Sequence, residues 1–411
     1  MRRVVVSGVG VISPIGKTAS EFLDALAAAR SGVRPVPPEI YPGTGALVAG
    51  QIDFDPATHW AAHQTSQWDR ATQFALVAAH QALTNANIQP NSDDASSLGV
   101  YWGTGLGGAS SMDDSYRELY AGRGRVRPTS VILAMSNAAA GQVSIVNGLR
   151  GPVLNYSTAC SSSASAIGEA YRAIKHGFAD ALVAGGSEAL ITNGTLRAWD
   201  AMSALAHADP NDPAKSCKPF SANRKGLVLG EGACAFVLET EERALARGAN
   251  IHAEIVGYGN TADASHISKP SAEGQVRAMR AALSDARLSE HDVGYLNAHG
   301  TATIVGDAIE TDAIKQVFGD HARRLPVSST KALHGHLMGA TGAIELLAAI
   351  GVIECGIIPP TANLEQPDPA CDLDYVPNES RRASVDVVMS NSFGFGGMNA
   401  VLVARRYARY A

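Results

Sequence analysis

Short β-branched runs alternate with alanine-rich helical runs along the whole chain, and no low-complexity stretch or long linker interrupts them. That rhythm predicts strands near 3–7, 98–101, 181–184, 233–239 and 387–390. It predicts helices near 19–30, 70–85, 161–176, 274–286 and 343–353. A chain of this kind is restricted to α/β layers, because each apolar strand needs helices on its faces to bury it. With 46% apolar and 18% charged residues over 411 positions, there is ample material for a large core. The stretches 33–64 and 202–230 have the weakest periodicity and are read as surface excursions. A strand, a small-residue turn and a helix around residue 160 have a counterpart after residue 295. This points to a duplication, although no identity between halves is visible.

The net charge of −6 excludes a general basic field for nucleic acid, so an acidic protein partner would need a local basic patch. The five cysteines, Cys160, Cys217, Cys234, Cys355 and Cys371, are odd in number and show no CxxC spacing. That argues against a disulfide framework or a zinc site and for reduced thiols in the cytoplasm. The N-terminus starts basic and turns apolar, but Gly8, Gly10, Ser13 and Pro14 break the run. Val4–Val6 is read as a buried strand rather than part of a signal peptide. The apolar run 346–353 is bounded by Glu345 and Glu354, so no membrane span is expected.

Four segments carry chemistry. In the first, Thr158-Ala159-Cys160 precedes three serines and an alanine-rich helix. A cysteine at a helix start lies where N–H groups and the helix dipole favour a thiolate, and small neighbours admit a bulky thioester. A lone cysteine is more often a small buried hydrophobe. In the second, Asn297-Ala298-His299-Gly300-Thr301-Ala302-Thr303 puts an imidazole at a strand end among small residues; a satisfied core histidine is the bland reading. The third, Ser328 to Ala340, gathers Lys331, His334, His336 and three glycines before a helix containing Glu345. In the fourth, Met389 to Asn399, Phe393 and Phe395 alternate with glycines, which suits an aromatic gate with free backbone donors. Together they supply a nucleophile, two imidazoles, a cation and a Gly-rich loop, the parts needed for acyl transfer through a thioester.

TACSSS, NAHGT, STKALHGH and NSFGFGG, in this order, resemble the β-ketoacyl-acyl-carrier-protein synthases of the type I/II, Cys-His-His branch, and the resemblance covers essentially the whole chain. It implies the thiolase fold: two similar βαβαβ-type halves, 1–245 and 246–411, in a five-layered α-β-α-β-α arrangement, and a homodimer or a heterodimer with a related subunit. It implies decarboxylative condensation of an acyl group on Cys160 with malonyl-acyl carrier protein, in fatty-acid or related polyene and polyketide synthesis. His299 and His336 resemble the pair that stabilises the enolate. Lys331 resembles the lysine that orders the site, and Glu345 the buried acid of its network. The backbone N–H groups of Cys160 and Phe395 would form the oxyanion hole, Phe393 and Phe395 the gate, and Thr301 and Thr303 the pantetheine contacts. No cofactor is required beyond the phosphopantetheine carried by the partner, and no structural or catalytic metal. Asn297, Glu345, Ser390 and Asn391 match positions that hold a monovalent cation in some relatives.

The chain departs from the family pattern at His334 and Met398, where threonine is usual, and at His63, Ser66 and Gln67, which are basic in housekeeping enzymes. Arg123, Arg125 and Arg127 are the docking candidates that remain. STKALHGH is similar to synthases of aryl-polyene and related clusters. By the same resemblance Met112 limits the acyl tunnel, and Ser130, with Thr129, widens its far end; the bland reading of that pair is a helix cap. A non-catalytic chain-length factor would lack Cys160, and a thiolase would need a second cysteine within Phe393–Met398, which has none.

Overall fold

The structure is a computed structural model, and it describes residues 1–409 apart from 43–45, 123 and 125. Five strands come from the first part of the chain: β1 (Val4–Ile12), β2 (Gly99–Gly103), β3 (Val153–Tyr156), β4 (Ala181–Glu188) and β5 (Gly232–Thr240). Five follow: β6 (Ala253–Ala262), β7 (Tyr295–Asn297), β8 (Val327–Ser328), β9 (Val387–Gly394) and β10 (Met398–Arg405). Their order is β3-β2-β4-β5-β1 and then β6-β10-β9-β7-β8. Numbered within its own set, each runs 3-2-4-5-1. In each, the second strand is parallel to the third and fourth, and the fifth is antiparallel to its neighbours. The two sets join where Val4–Val6 pairs antiparallel with residues 253–255. The duplication that cannot be seen in residue identity is explicit in strand order.

Helices α1 (Arg70–Asn85) and α2 (Ala138–Asn147) cover the first set. Helices α4 (Ala272–Ala286) and α5 (Ile304–Phe318) lie along the second, and α3 (Ser162–Lys175) and α6 (Thr341–Cys355) pack on each other and on strands of both. This is the five-layered α-β-α-β-α thiolase fold that the motifs imply. The middle layer is the driest. Every residue of α6 from Thr341 to Ile353 is buried. Each leucine or isoleucine there contributes about 1.5–3 kcal/mol relative to exposure. The apolar stretch is longer than expected. Met338–Cys355 has the length and mean hydropathy (1.6) of a membrane span, but 89% of it is buried inside the protein, as a core helix requires.

Two local expectations change. Gly8 and Gly10 do not end the first strand, which runs on to Ile12. A Cβ at Gly10 would lie 2.0 Å from the Ala78 carbonyl oxygen, so the glycine is the condition for α1 to lie directly on β1. The weakly periodic stretches are not mere surface. Val33–Pro35, Val48–Gly50 and Leu229–Gly230 form a small sheet, and Leu47, Cys217, Phe220 and Leu227 are buried. Their strands are too short, at two or three residues, to show a period.

Candidate active site

Cys160 follows β3 in a single 3-10 turn, Ala159–Ser161, that leads into α3. Ala159 is forced to φ +51°, left-handed backbone that alanine seldom adopts. The serines hold this turn. Ser161 Oγ donates to the Thr158 carbonyl at 2.8 Å, and Ser162 Oγ donates to the Ala159 carbonyl at 2.7 Å while accepting from Thr158 N at 2.9 Å. All three serines are fully buried: Ser161 and Ser162 lock the nucleophile turn, and Ser163 Oγ accepts from Ala343 N at 2.9 Å.

Cys160 is itself buried. Burial pushes its thiol up to about 11, against the N–H groups of Phe395 and of Cys160 itself and the charge of Lys331, all of which favour the thiolate. The expected helix-start thiolate is therefore a neutral thiol at neutral pH, because desolvation outweighs the donors. Gly394 lets the donors approach: a Cβ there would meet Thr158 O at 2.7 Å and Cys160 N at 3.3 Å.

His299 stands just past β7. Its N–H and that of Gly300 donate to Glu310, at 2.8 and 2.7 Å, and Asn391 Nδ2 donates to the same carboxylate at 3.1 Å. His336 follows the short helix Lys331–His334; its Nδ1 lies 2.8 Å from Thr341 Oγ1, and its Nε2 is buried with no partner among the described residues. The two rings are 5.4 Å apart and nearly perpendicular. The Cys160 sulfur and one nitrogen from each imidazole all lie within 4.8 Å of one another. Burial, then the charge of Lys331, holds both imidazoles well below their ordinary value, so both are neutral and each keeps one N–H.

Behind them Lys331 Nζ meets Glu345 Oε1 at 2.5 Å and donates to the His299 carbonyl, all within the dry interior. Burial raises Glu345 to about 8, against the pull of Lys331. Asn297 Oδ1, Glu345 Oε2, Ser390 Oγ and Asn391 Oδ1 are each buried without a partner among the described residues.

A cleft of about 460 Å³ opens over Cys160, His299 and His336, and Thr301, Thr303, Phe393 and Phe395 line it. The Thr301 and Thr303 hydroxyls are 3.0 Å apart. Phe393 meets His299 edge-on at 5.9 Å, and Phe395 stacks on Trp199 at 5.7 Å. Met112 and Ser130 do not line the cleft. Met112 is half-buried on the helix Ala109–Tyr120, and Ser130 is buried with its hydroxyl 3.0 Å from Ser115 Oγ of that helix. Thr129 precedes Ser130–Ala134 but makes no side-chain cap. Of the docking candidates, Arg123 and Arg125 lie outside the described residues, and Arg127 is exposed.

Three further residues border these groups. Trp199 stacks on Phe395. Glu310 receives the His299 turn. Glu188, at the end of β4, accepts from Gly105 N at 2.6 Å and Gly339 N at 2.9 Å, tying the loop after β2 to the loop after His336. Its burial raises it to about 7.

Residues 1–244 match the family described as beta-ketoacyl synthase, N-terminal domain, and residues 252–365 its C-terminal domain. Nodulation protein E of Rhizobium meliloti is 45% identical over 98% of this chain and 99% of its own length. The 3-oxoacyl-[acyl-carrier-protein] synthase 2 of Coxiella burnetii is 42% identical over 98% and 99%. Among solved structures, the ishigamide ketosynthase/chain length factor superposes with a TM-score of 0.91 at 34% identity, covering 99% of this chain and all of that one. Matched in both parts and aligned end to end with such relatives, the chain belongs to the β-ketoacyl synthase family.

Proposed function

We propose that this enzyme carries out decarboxylative condensation of an acyl group held on Cys160 with malonyl-acyl carrier protein, giving 3-oxoacyl-acyl carrier protein and CO2 in fatty-acid or related polyene and polyketide synthesis. One observation carries the reading: a buried sulfur at a strained turn, two neutral imidazoles within 4.8 Å, and two backbone N–H groups at the sulfur.

In acylation the Cys160 sulfur adds to the thioester carbonyl. The oxygen gathers charge beside the Cys160 and Phe395 N–H groups, and the pantetheine sulfur leaves. The proton lost by Cys160 balances the one the departing thiolate takes up, so the high thiol pKa is no net obstacle. In the second half the C–C bond to the malonyl carboxylate breaks, CO2 departs, and the electron pair delocalises onto the thioester oxygen. The N–H groups of His299 and His336 stabilise that enolate; in the His336 tautomer that accepts from Thr341 Oγ1 at Nδ1, the proton sits on Nε2, which has no other partner among the described residues. Each donor to such an oxyanion lowers the barrier by about 3 kcal/mol. The enolate carbon then attacks the acyl carbonyl and expels the Cys160 thiolate. Lys331 is a positioning residue, through the His299 carbonyl and Glu345.

Thr301 and Thr303 are read as pantetheine contacts, Phe393 and Phe395 as the gate, and Met112 and Ser130 as the far end of the acyl tunnel. The four unpartnered oxygens of Asn297, Glu345, Ser390 and Asn391 fit a monovalent cation, a hard ion that takes oxygen ligands. Bound there, it would neutralise charge on Glu345. No other cofactor and no metal at the cysteine belong to this reading. A division near residue 245 is supported by the repeated strand order. Dimerisation, as a homodimer or with a related subunit, is supported by β3, which stands at the sheet edge with Val153 and Leu154 exposed. A cytoplasmic location is supported by five free cysteines.

The test is reconstitution with an acyl-carrier thioester and malonyl-carrier thioester. The expected products are 3-oxoacyl carrier and CO2 in equal amounts, with Cys160→Gln releasing CO2 but forming no 3-oxoacyl product. CO2 release without condensation by the wild type would overturn the reading.

A further inference from the structure

Gln275 borders the cleft and has no part in the chemistry above. It stands on the first turn of α4 (Ala272–Ala286), is 2% exposed, and lines the same cavity as Cys160, His299 and Phe393. Its Oε1 is buried with no hydrogen-bond partner among the described residues. A carboxamide end in that state bears its full desolvation penalty until something bonds it. One turn further along α4, Met279 is contacted by Asn391, whose amide bonds Glu310, the acceptor for His299 and Gly300. Gln275 thus lies one helical turn from the network that holds His299.

Several other polar groups facing the cleft already have partners or roles. His336 Nε2 serves the enolate. Asp307 has an unbonded Oδ1, but its Oδ2 accepts from Phe220 N at 2.7 Å and faces Arg224 Nε at 3.8 Å. The Thr301 and Thr303 hydroxyls bond each other, and Thr303 also accepts from Gly306 N.

We propose that Gln275 is a substrate-binding residue whose carboxamide pairs with a secondary amide of the pantetheine arm while the thioester sits at Cys160. A carboxamide offers both a donor and an acceptor, and a secondary amide complements it in either orientation; an alkyl chain offers neither. The inference rests on the reading that a pantetheine thioester occupies this cleft.

The experiment compares wild type, Gln275→Leu and Gln275→Met on two malonyl thioesters: malonyl-pantetheine, which carries two amides, and a malonyl thioester of plain butanethiol, which carries none. Decarboxylation kcat and KM are measured for each, with the Tm of the ligand-free proteins. The fall in kcat/KM should be about tenfold larger on malonyl-pantetheine than on the butyl thioester, mostly through KM. The Tm should rise, because an apolar side chain of similar size removes the unbonded amide. Equal losses on both thioesters, or no loss on malonyl-pantetheine, would overturn the assignment. A wild type that decarboxylates neither thioester would instead overturn the proposed function, and this inference with it.

Discussion

Lys331 Nζ sits 2.5 Å from Glu345 Oε1 with both side chains fully buried, and the same ammonium donates to the His299 carbonyl and lies 3.5 Å from its Nδ1. One ion pair therefore holds both the middle layer and the position of the His299 imidazole. Breaking such a pair on one side strands a charge, which costs about 3–5 kcal/mol. Lys331→Met should lower urea stability by about 3 kcal/mol. The double variant Lys331→Met/Glu345→Leu should recover most of that and none of the lost malonyl decarboxylation. Recovery of decarboxylation in the double variant would show that Lys331 acts only on stability.

The Cys160 thiol is raised to about 11, first by burial, so the fraction ionised should climb tenfold per pH unit from 7 to about 10. Alkylation of Cys160 by iodoacetamide, followed by peptide mapping to separate it from the exposed Cys355, should rise with that slope and level off near 11. The sign for stability follows. A thiol whose folded pKa is raised contributes fully below its ordinary value of 9.0 and loses that contribution as pH rises through about 11. An alkylation plateau below pH 9 would contradict the burial argument.

His299→Ala and His336→Ala should still be acylated at Cys160, with malonyl decarboxylation reduced by about 10²–10³, as for loss of an oxyanion donor. Single-turnover CO2 release measures this; a wild-type rate in either variant removes that residue from the chemistry. His334, at its departure from the family pattern, is different. Both its nitrogens are bonded, at 2.7 Å to the Gly335 carbonyl and 2.9 Å to Thr330 Oγ1, and it is fully buried. His334→Ala should cost about 2 kcal/mol of stability and change decarboxylation little.

The four chemical segments were legible because each packs its residues into one short run: a cysteine before a helix, a histidine after a strand, a lysine and two histidines between Lys331 and His336. The alternation of strands and helices was legible because strands of five to nine residues and helices of fourteen to sixteen stand out in the pattern, whereas the five-layer order came from the family resemblance. What stayed hidden depends on contacts across the chain. Glu188 joins the loops at Gly105 and Gly339, 234 residues apart, and Trp199 meets Phe395 only once both halves have folded. Gly10 reads as a strand breaker until the helix lying on it is seen. The state of the Cys160 thiol was misjudged for the same reason, since its burial is a property of the assembled middle layer and no local motif reports it.

Ser130 is buried against Ser115, so a larger ring there must displace the helix Ala109–Tyr120 or fill space beyond it. Ser130→Phe should shorten the longest acyl chain condensed and lower acceptance of polyene chains relative to wild type. Condensation rates across a series of saturated and polyene acyl carriers measure the profile. An unchanged profile would remove Ser130 from the acyl tunnel.

The central claim is that Cys160 carries the acyl group. Incubation with an acyl-carrier thioester, without malonyl substrate, followed by digestion and mass spectrometry, locates the acyl group directly. The account predicts a single adduct on the peptide containing Cys160, discharged when malonyl-carrier thioester is added and absent in Cys160→Gln. Acyl label on Cys217 or Cys234 with Cys160 unmodified would contradict it.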